Sequence, residues 1–477
     1  MSKIDELTTV CCLVLLGIVT LKTNHVTALI PEQCAHNVSR PFSTCCPTDP
    51  FNHLVCGGPE RGSCQQLTIH REYVPRVFLM DDRLFWPARF FDHVCHCKDK
   101  FYGVACEQCW FGWTGPHCDQ KEIRIRRNIR SLSEDELELF KDVMYRSQTW
   151  PSGFWVLDES TNNRSDPLFK PRLKPASVQY WAAFIHRYGA RPTLYETEEE
   201  CSRFGILNFS HDGVTFPTWH RYFQLIWERM LSNIALEVHG IHNFAVPYWD
   251  MIGLEKCDIC TDDYVGGPGH IDRYGVHLSP NSAFTGFQEY CLEPEGDEVC
   301  FGCQGTKPNT TITRQFLTNA FPNQEDLYFT LNLQDYFVPG ERDSEECRSF
   351  HMALEGYCGR PDTDPTYRWM HNRLHRMING SMCCTSTATN DPIFIVLHNF
   401  VDKIFNAWLR LYHPPIEAYP RDNVRPGHSR DAFMVALMPL LRNADMFVDS
   451  LQLGYDYDNM MFGQFAQNGV PPIVVEI

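Results

Sequence analysis

The chain has no apolar run near the roughly 20 residues needed to cross a bilayer, and its C-terminal part has none that would serve as an anchor. A membrane-spanning anchor is therefore not expected. Basic residues are in deficit: 42 Lys and Arg against 59 Asp and Glu leave a formal charge of −17, which argues against nucleic acid as a partner because phosphate binding needs a basic face. There is neither an internal repeat nor a low-complexity tract, so repeat arrays are not expected. With 43% hydrophobic and 21% charged residues, the composition also opposes intrinsic disorder. What remains is a globular chain of 477 residues, long enough for a large core and more than one folding unit.

The N-terminus reads as a secretory leader. Lys3 precedes the apolar run at 10–19, and Val26-Thr27-Ala28 offers small residues for cleavage, so residues 1–28 are expected to be removed. Of the 22 cysteines, Cys11 and Cys12 lie in that leader, and the even number left suits a disulfide framework. Asn-x-Ser/Thr sequons begin at Asn37, Asn163, Asn208, Asn309 and Asn379. Together these features place the chain in the secretory pathway.

Cysteine density divides the mature chain. Residues 34–118 hold ten Cys, with Gly103, Gly112 and Gly115 between them. Such a segment is too poor in apolar periods for a core of its own and needs disulfide staples. The spacing of Cys97, Cys106, Cys109 and Cys118 resembles an EGF- or laminin-type module; the rival reading is a zinc site using Cys95, Cys97 and His93 or His96. The expected organisation is a leader (1–28), a cysteine-rich EGF-like subdomain (29–130), a catalytic domain (131–455) and a C-terminal tail (456–477). Ser133 followed by acidic residues predicts a helix over about 133–147. Apolar periodicity predicts further helices over 177–188, 218–238, 366–379 and 391–412, with loops and short helices across 255–350. The aromatic runs around Tyr180, Trp181, Trp219 and Trp227 read as packing.

The chemistry lies in the histidines. His371 and His375 are spaced i, i+4, so on a helix both imidazoles leave one face and can converge on a metal ion. His398 follows on the next helix, whose start is marked by Asp391-Pro392, and a helical hairpin lets it close a set of three. A looser trio precedes it: His186 on a helix, His211 after a loop, and His220 at the opening of a long helix. With six imidazoles and no obvious carboxylate ligand, copper, zinc or iron is favoured over magnesium or calcium. The other histidines, among them His239, His242, His270, His277, His351, His413 and His428, read as surface or satisfied core residues.

These stretches resemble a known family. NFSHDGVTFPTWHRYF at 208–223 with PYWD at 247–250 looks like the first metal motif of tyrosinases. MHNRLHRMINGS at 370–381 with NDPIFIVLHNFVDKIFNAW at 390–408 looks like the second. MDDRLFWP (80–87), CDICTDDYVGG (257–267), GHSR (427–430) and GYDY (454–457) extend the likeness to the animal tyrosinase and tyrosinase-related protein group. The resemblance implies a mainly α fold: a four-helix bundle holding two metals, with His186, His211 and His220 on the first and His371, His375 and His398 on the second. It implies two copper ions that use O2 to hydroxylate monophenols and oxidise catechols to quinones in melanin formation. The compartment is then the melanosome lumen or the exterior, and association with other family members is an expected interaction.

By the same resemblance Glu355 and Asn372 match a pair that helps deprotonate phenols. Asp402, one turn after His398, is expected either to orient a ligand or to lie on the helix surface. Leu397, Tyr357, Arg368 and Thr385 look instead like the tyrosinase-related branch, which is associated with two zinc ions in the same site and with tautomerisation of dopachrome, or with a non-oxidising partner role. Asp250 points back to tyrosinase. An oxygen carrier of the hemocyanin kind is a further alternative. Cys358, Cys383 and Cys384 flank the second motif and are expected to brace it by disulfides rather than to ligate metal.

Overall fold

A computed structural model of the chain describes residues 29–37, 43–69, 81, 83–88, 90–157, 173–190, 207–272, 275–290, 311–316, 321–340, 346–360 and 369–460. The leader, Arg368, the sequons at Asn163 and Asn309 and the last part of the tail lie outside them.

Seven α-helices form among the described residues. α1 (Glu134–Arg146) starts at Ser133, whose hydroxyl accepts from the Glu136 backbone while the Glu136 carboxylate accepts from the Ser133 backbone, a full capping box. α2 (Val178–Ala190), α3 (Thr215–His239), α4 (Gln324–Asn332), α5 (Phe350–Glu355), α6 (Met370–Ile378) and α7 (Ile393–Tyr412) follow. α3 begins earlier than expected. Pro217 falls in its first turn, where a missing N–H costs nothing, so His220 sits in the second turn rather than opening the helix. α7 starts at Ile393, whose backbone N–H donates to Asp391 Oδ1. Trp181, Trp219, Trp227 and Trp408 are fully buried, so the aromatic runs are packing, as read.

The region 255–350 holds more strand than expected. Pro268–Asp272, Gly275–Leu278 and Thr313–Arg314 form an antiparallel sheet. Small sheets also occur elsewhere, so the helical core carries β-structure around it.

The cysteine-rich segment is stapled by Cys34–Cys45, Cys46–Cys64, Cys56–Cys95, Cys97–Cys106 and Cys109–Cys118. Cys95 and Cys97 are thus both bridged, which removes the thiolates that a zinc site there would need. The segment docks on the back of α3. Tyr102 and Tyr222 share a 2.8 Å hydroxyl contact, and Arg229 lies over the Tyr102 and Phe111 rings. Gly112 and Gly454 meet backbone to backbone, both at positive φ. A Cβ on Gly454 would stand 1.9 Å from the Gly112 Cα, so no larger residue fits.

From that contact the GYDY strand Tyr455–Tyr457 runs parallel to Arg124–Arg126. Arg126 turns inward and is 1% exposed. It pairs with Glu228 on α3 and, at 3.2 Å, with Asp402 on α7. Asp402 also receives Arg221 at 2.5 Å and the hydroxyls of Tyr455 and Tyr457 at 2.6 and 2.5 Å. It is therefore neither a surface carboxylate nor in hydrogen-bond contact with an imidazole; it bolts α3 to α7. Burial pushes its carboxyl up, but the two guanidiniums and two hydroxyls outweigh burial and leave it below the usual value.

Candidate metal centre

All six histidines named from the sequence are brought together on α2, α3, α6, α7 and the loop before α3. Nitrogens of His186, His211 and His220 lie within 4.8 Å of one another, and so do those of His371, His375 and His398. The two groups face each other: the rings of His220 and His398 stack at 4.6 Å, and those of His211 and His371 are 6.5 Å apart. Phe216 packs between the groups at 4.6 Å from His371, and Phe394 stacks on His398 at 4.0 Å while meeting His186 edge-on at 5.0 Å.

Five of the six rings are aimed by what holds the other nitrogen, while His398 Nδ1 is buried without a hydrogen-bond partner. Nδ1 of His186 donates to the Thr385 carbonyl at 2.8 Å, that of His220 to the Phe216 carbonyl at 2.9 Å, and that of His375 to the Met382 carbonyl at 2.7 Å. His371 Nδ1 faces Asn372 Oδ1 at 3.1 Å, and His211 Nδ1 faces the Ser210 hydroxyl at 2.9 Å. A carbonyl can only accept, so these contacts put the proton on Nδ1 and leave Nε2 as a lone pair pointing inward. Nε2 of His186 and of His220 is buried without a hydrogen-bond partner. In the second group His398 Nε2 lies 3.1 Å from His371 Nε2 and 3.4 Å from His375 Nε2. Ligands on a tetrahedral ion with bonds of about 2.0–2.1 Å would be about 3.3 Å apart, so this spacing fits a shared cation.

Burial also keeps the rings neutral. It lowers His186 to about 3 and His375 to about 4, and it drives His211, His220, His371 and His398 well below the usual value, with neighbouring imidazoles adding to the effect. Neutral imidazoles are the form that binds metal, and no proton must leave at neutral pH. Buried lone pairs converging without partners are costly unless something positive sits between them. The residues present therefore fit two metal ions.

The surrounding motifs serve this geometry. Arg83 of MDDRLFWP, fully buried, donates to the carbonyls of Tyr188, Gly189 and Leu207 at 2.8–3.2 Å, capping the end of α2 that carries His186. Asn208 Oδ1 accepts from the backbone of Ser210 and His211 at 3.1 and 2.9 Å and so shapes the ligand loop. His428 of GHSR donates from Nε2 to Asn208 O at 2.6 Å and accepts at Nδ1 from the Thr215 hydroxyl at 3.3 Å, and a Cβ on Gly213 would strike its ring at 2.4 Å. The PYWD segment reaches no imidazole in hydrogen bonding: Trp249 bonds Val396 O and Asp258, and Asp250 bonds the Ile252 and Arg130 groups. Asp391 is bidentate to buried Arg314 at 2.8 Å.

Glu355 is fully buried and accepts from the Asp212 backbone, beside His211, at 2.6 Å. The next residue, Gly356, has φ +96°, and a Cβ there would stand 1.9 Å from Trp369 O and 3.2 Å from the Asn372 Cβ. Glycine at this point lets α5 abut the start of α6, bringing the Glu355 backbone next to Asn372. Cys358 bonds Cys347, and Cys383 bonds Cys384, so the flanking cysteines are in disulfides. Sequence reading missed Arg83, Phe216, Phe394 and the Met382 and Thr385 carbonyls; the last two carry no side-chain signal at all. It also read His351 as satisfied or surface, whereas His351 is buried with neither ring nitrogen hydrogen-bonded.

Residues 176–411 match the model of the common central domain of tyrosinase. The chain is 36% identical over 448 residues to the tyrosinase of Felis catus, covering 90% of this chain and 82% of that one. It is 32% identical over 456 residues to the 5,6-dihydroxyindole-2-carboxylic acid oxidase of Gallus gallus, covering 90% and 83%. Among solved structures, a polyphenol oxidase from Thermothelomyces thermophila overlaps 70% of this chain and 88% of its own at 16% identity and a TM-score of 0.45. The chain belongs to the tyrosinase family. Its two histidine triads could each hold a metal ion, as a dinuclear site would require.

Proposed function

We propose that the chain is a secretory-pathway oxidase that uses two copper ions, held by His186, His211 and His220 and by His371, His375 and His398, to hydroxylate monophenols and oxidise catechols in melanin formation. The observation that carries the reading is the facing pair of imidazole triads, buried, neutral and with their lone pairs turned inward. Bound copper supplies the redox chemistry that dioxygen activation requires, which redox-inert zinc lacks.

The chain's own groups prepare the substrate. A phenol has a pKa near 10 and binds metal far better as phenolate, so a proton acceptor is needed beside the site. Glu355 is assigned that role and the Asn372 amide the role of orienting it, with Phe216 and Phe394 excluding water around the rings. α2, α3, α6 and α7 act as the four-helix bundle of the family, and the disulfide-linked segment before residue 131 as an EGF-like subdomain. The disulfides suit an oxidising lumen.

The test is metal content together with oxygen uptake, on glycosylated protein from secretory expression with copper and zinc both supplied. Two coppers per chain, with uptake of O2 on adding a catechol, are expected, and both should be lost on His371→Ala. Two zincs that copper cannot displace, with conversion of dopachrome in the absence of O2, would overturn the oxidase reading in favour of the tautomerase.

A further inference from the structure

Away from the six-histidine centre, the outer hairpin of the three-stranded sheet carries a second group of donors. His270 and Asp272 lie two apart on the strand Pro268–Asp272, so their side chains leave one face. Asp272 pairs with Gly275 across the hairpin, and His277 lies two residues beyond Gly275 on the same face. Glycine at that pair puts no side chain between the carboxylate and the imidazole.

Nitrogens of His270 and His277 and an oxygen of Asp272 lie within 4.8 Å of one another. The two rings stack at 4.2 Å, inclined by only 5°. His277 is the fixed member. Its side chain is 8% exposed, and Nδ1 meets the Thr311 hydroxyl at 2.9 Å, which turns Nε2 toward Asp272 Oδ2 at 2.9 Å. That Nε2 is buried, and its contact with the carboxylate sets two metal-ligating groups side by side on one face of the hairpin, with the His270 nitrogen in reach of both. His270 is exposed and Asp272 largely so, which lets them close the last ångström on an ion.

We propose that His270, Asp272 and His277 bind one zinc-class divalent ion, with solvent completing its coordination. Two imidazoles and one carboxylate suit zinc and its transition-metal neighbours, whereas calcium and magnesium demand oxygen ligands. The ion would be structural in effect. The third strand of the same sheet leans on the second metal motif, with Thr313 N donating to Ser381 Oγ at 3.0 Å and Gln315 N donating to Ile378 O at 2.9 Å. Cross-linking the hairpin therefore stiffens the support behind α6. The proposal does not depend on which metal the six-histidine centre uses.

The test is equilibrium dialysis of the full glycosylated chain against zinc(II) at buffered micromolar free concentration, with ions per chain counted by elemental mass spectrometry. The wild type is expected to hold one zinc more than His270→Ala, a change at an exposed position, and one more than Asp272→Asn. His371→Ala should keep the hairpin ion while losing zinc from the centre. Equal counts in wild type and both hairpin variants would overturn the proposal, as would loss of all zinc in His371→Ala. A wild type holding a single zinc, removed by His270→Ala, would uphold the hairpin site and count instead against the dinuclear centre.

Discussion

The two triads are built differently. In the second, His371 and His375 come from one helical turn of α6, and the three Nε2 atoms already converge to 3.1 and 3.4 Å. In the first, each ligand comes from a separate element, α2, a loop and α3, although its ring centroids, 4.7–5.6 Å apart, are spaced much as those of the second, at 4.5–5.6 Å. The second owes its shape to helix geometry, which α6 supplies locally. The first owes its shape to groups outside any one helix: Arg83 at the end of α2, Asn208 and Ser210 in the loop, and His428 behind it. Local geometry tolerates damage to its surroundings; assembled geometry does not.

The largest effect should come from deleting a ligand of the compact triad. His371→Ala is expected to lower catechol oxidation by more than about 100-fold, beyond the range seen for groups that merely orient ligands, with loss of metal by elemental analysis. Full activity in that variant would break the comparison at its root.

Next is the bolt between the halves. Asp402→Ala leaves buried Arg221 without a counter-charge and Arg126 with Glu228 alone, and should cost about 3–5 kcal/mol in chemical denaturation. Because the folded carboxyl sits below its unfolded value, its contribution is complete above the unfolded pKa near 3.8 and fades as pH falls through the lower folded value. The wild type should therefore lose stability across that acid window more steeply than the variant, as followed by thermal melts at stepped pH. Parallel acid limbs would count against the assignment.

Damage to the assembled triad should be selective. Asn208→Ala removes the acceptor for two loop N–H groups and is expected to weaken the first metal about 10- to 100-fold, with the second nearly unchanged, in competitive chelator titrations. Equal weakening at both ions would erase the proposed contrast. Ser210→Ala deletes the hydroxyl's contacts to His211 Nδ1 and Asn208 Oδ1 and should cost about 10-fold or less at the first metal by the same titration.

The same contrast decides what was legible beforehand. His371, His375 and His398 followed from i, i+4 spacing and a helix start at Asp391-Pro392, because those rules act within a few residues. The N-cap at Ser133 was readable for the same reason. His186, His211 and His220 were legible only as a looser cluster until the motif resemblance tied them into one set, since nothing local tells a loop imidazole where to point. Asp402 was misread because its partners, Arg126 and Arg221, are 276 and 181 residues away. The sheet over 268–314 was read as loop because its strands are short and punctuated by glycine. Carbonyl acceptors such as those of Met382 and Thr385 leave no trace in residue type at all.

Those two carbonyls belong to one short loop, Met382–Thr385, with the Cys383–Cys384 bridge between them. One accepts from His375 of the second triad and the other from His186 of the first. The halves thus share a fixture, and the freedom of that loop is lost once, whichever ion arrives first. In the language of linkage, whichever ion bound first would order a loop that also aims a ligand of the other.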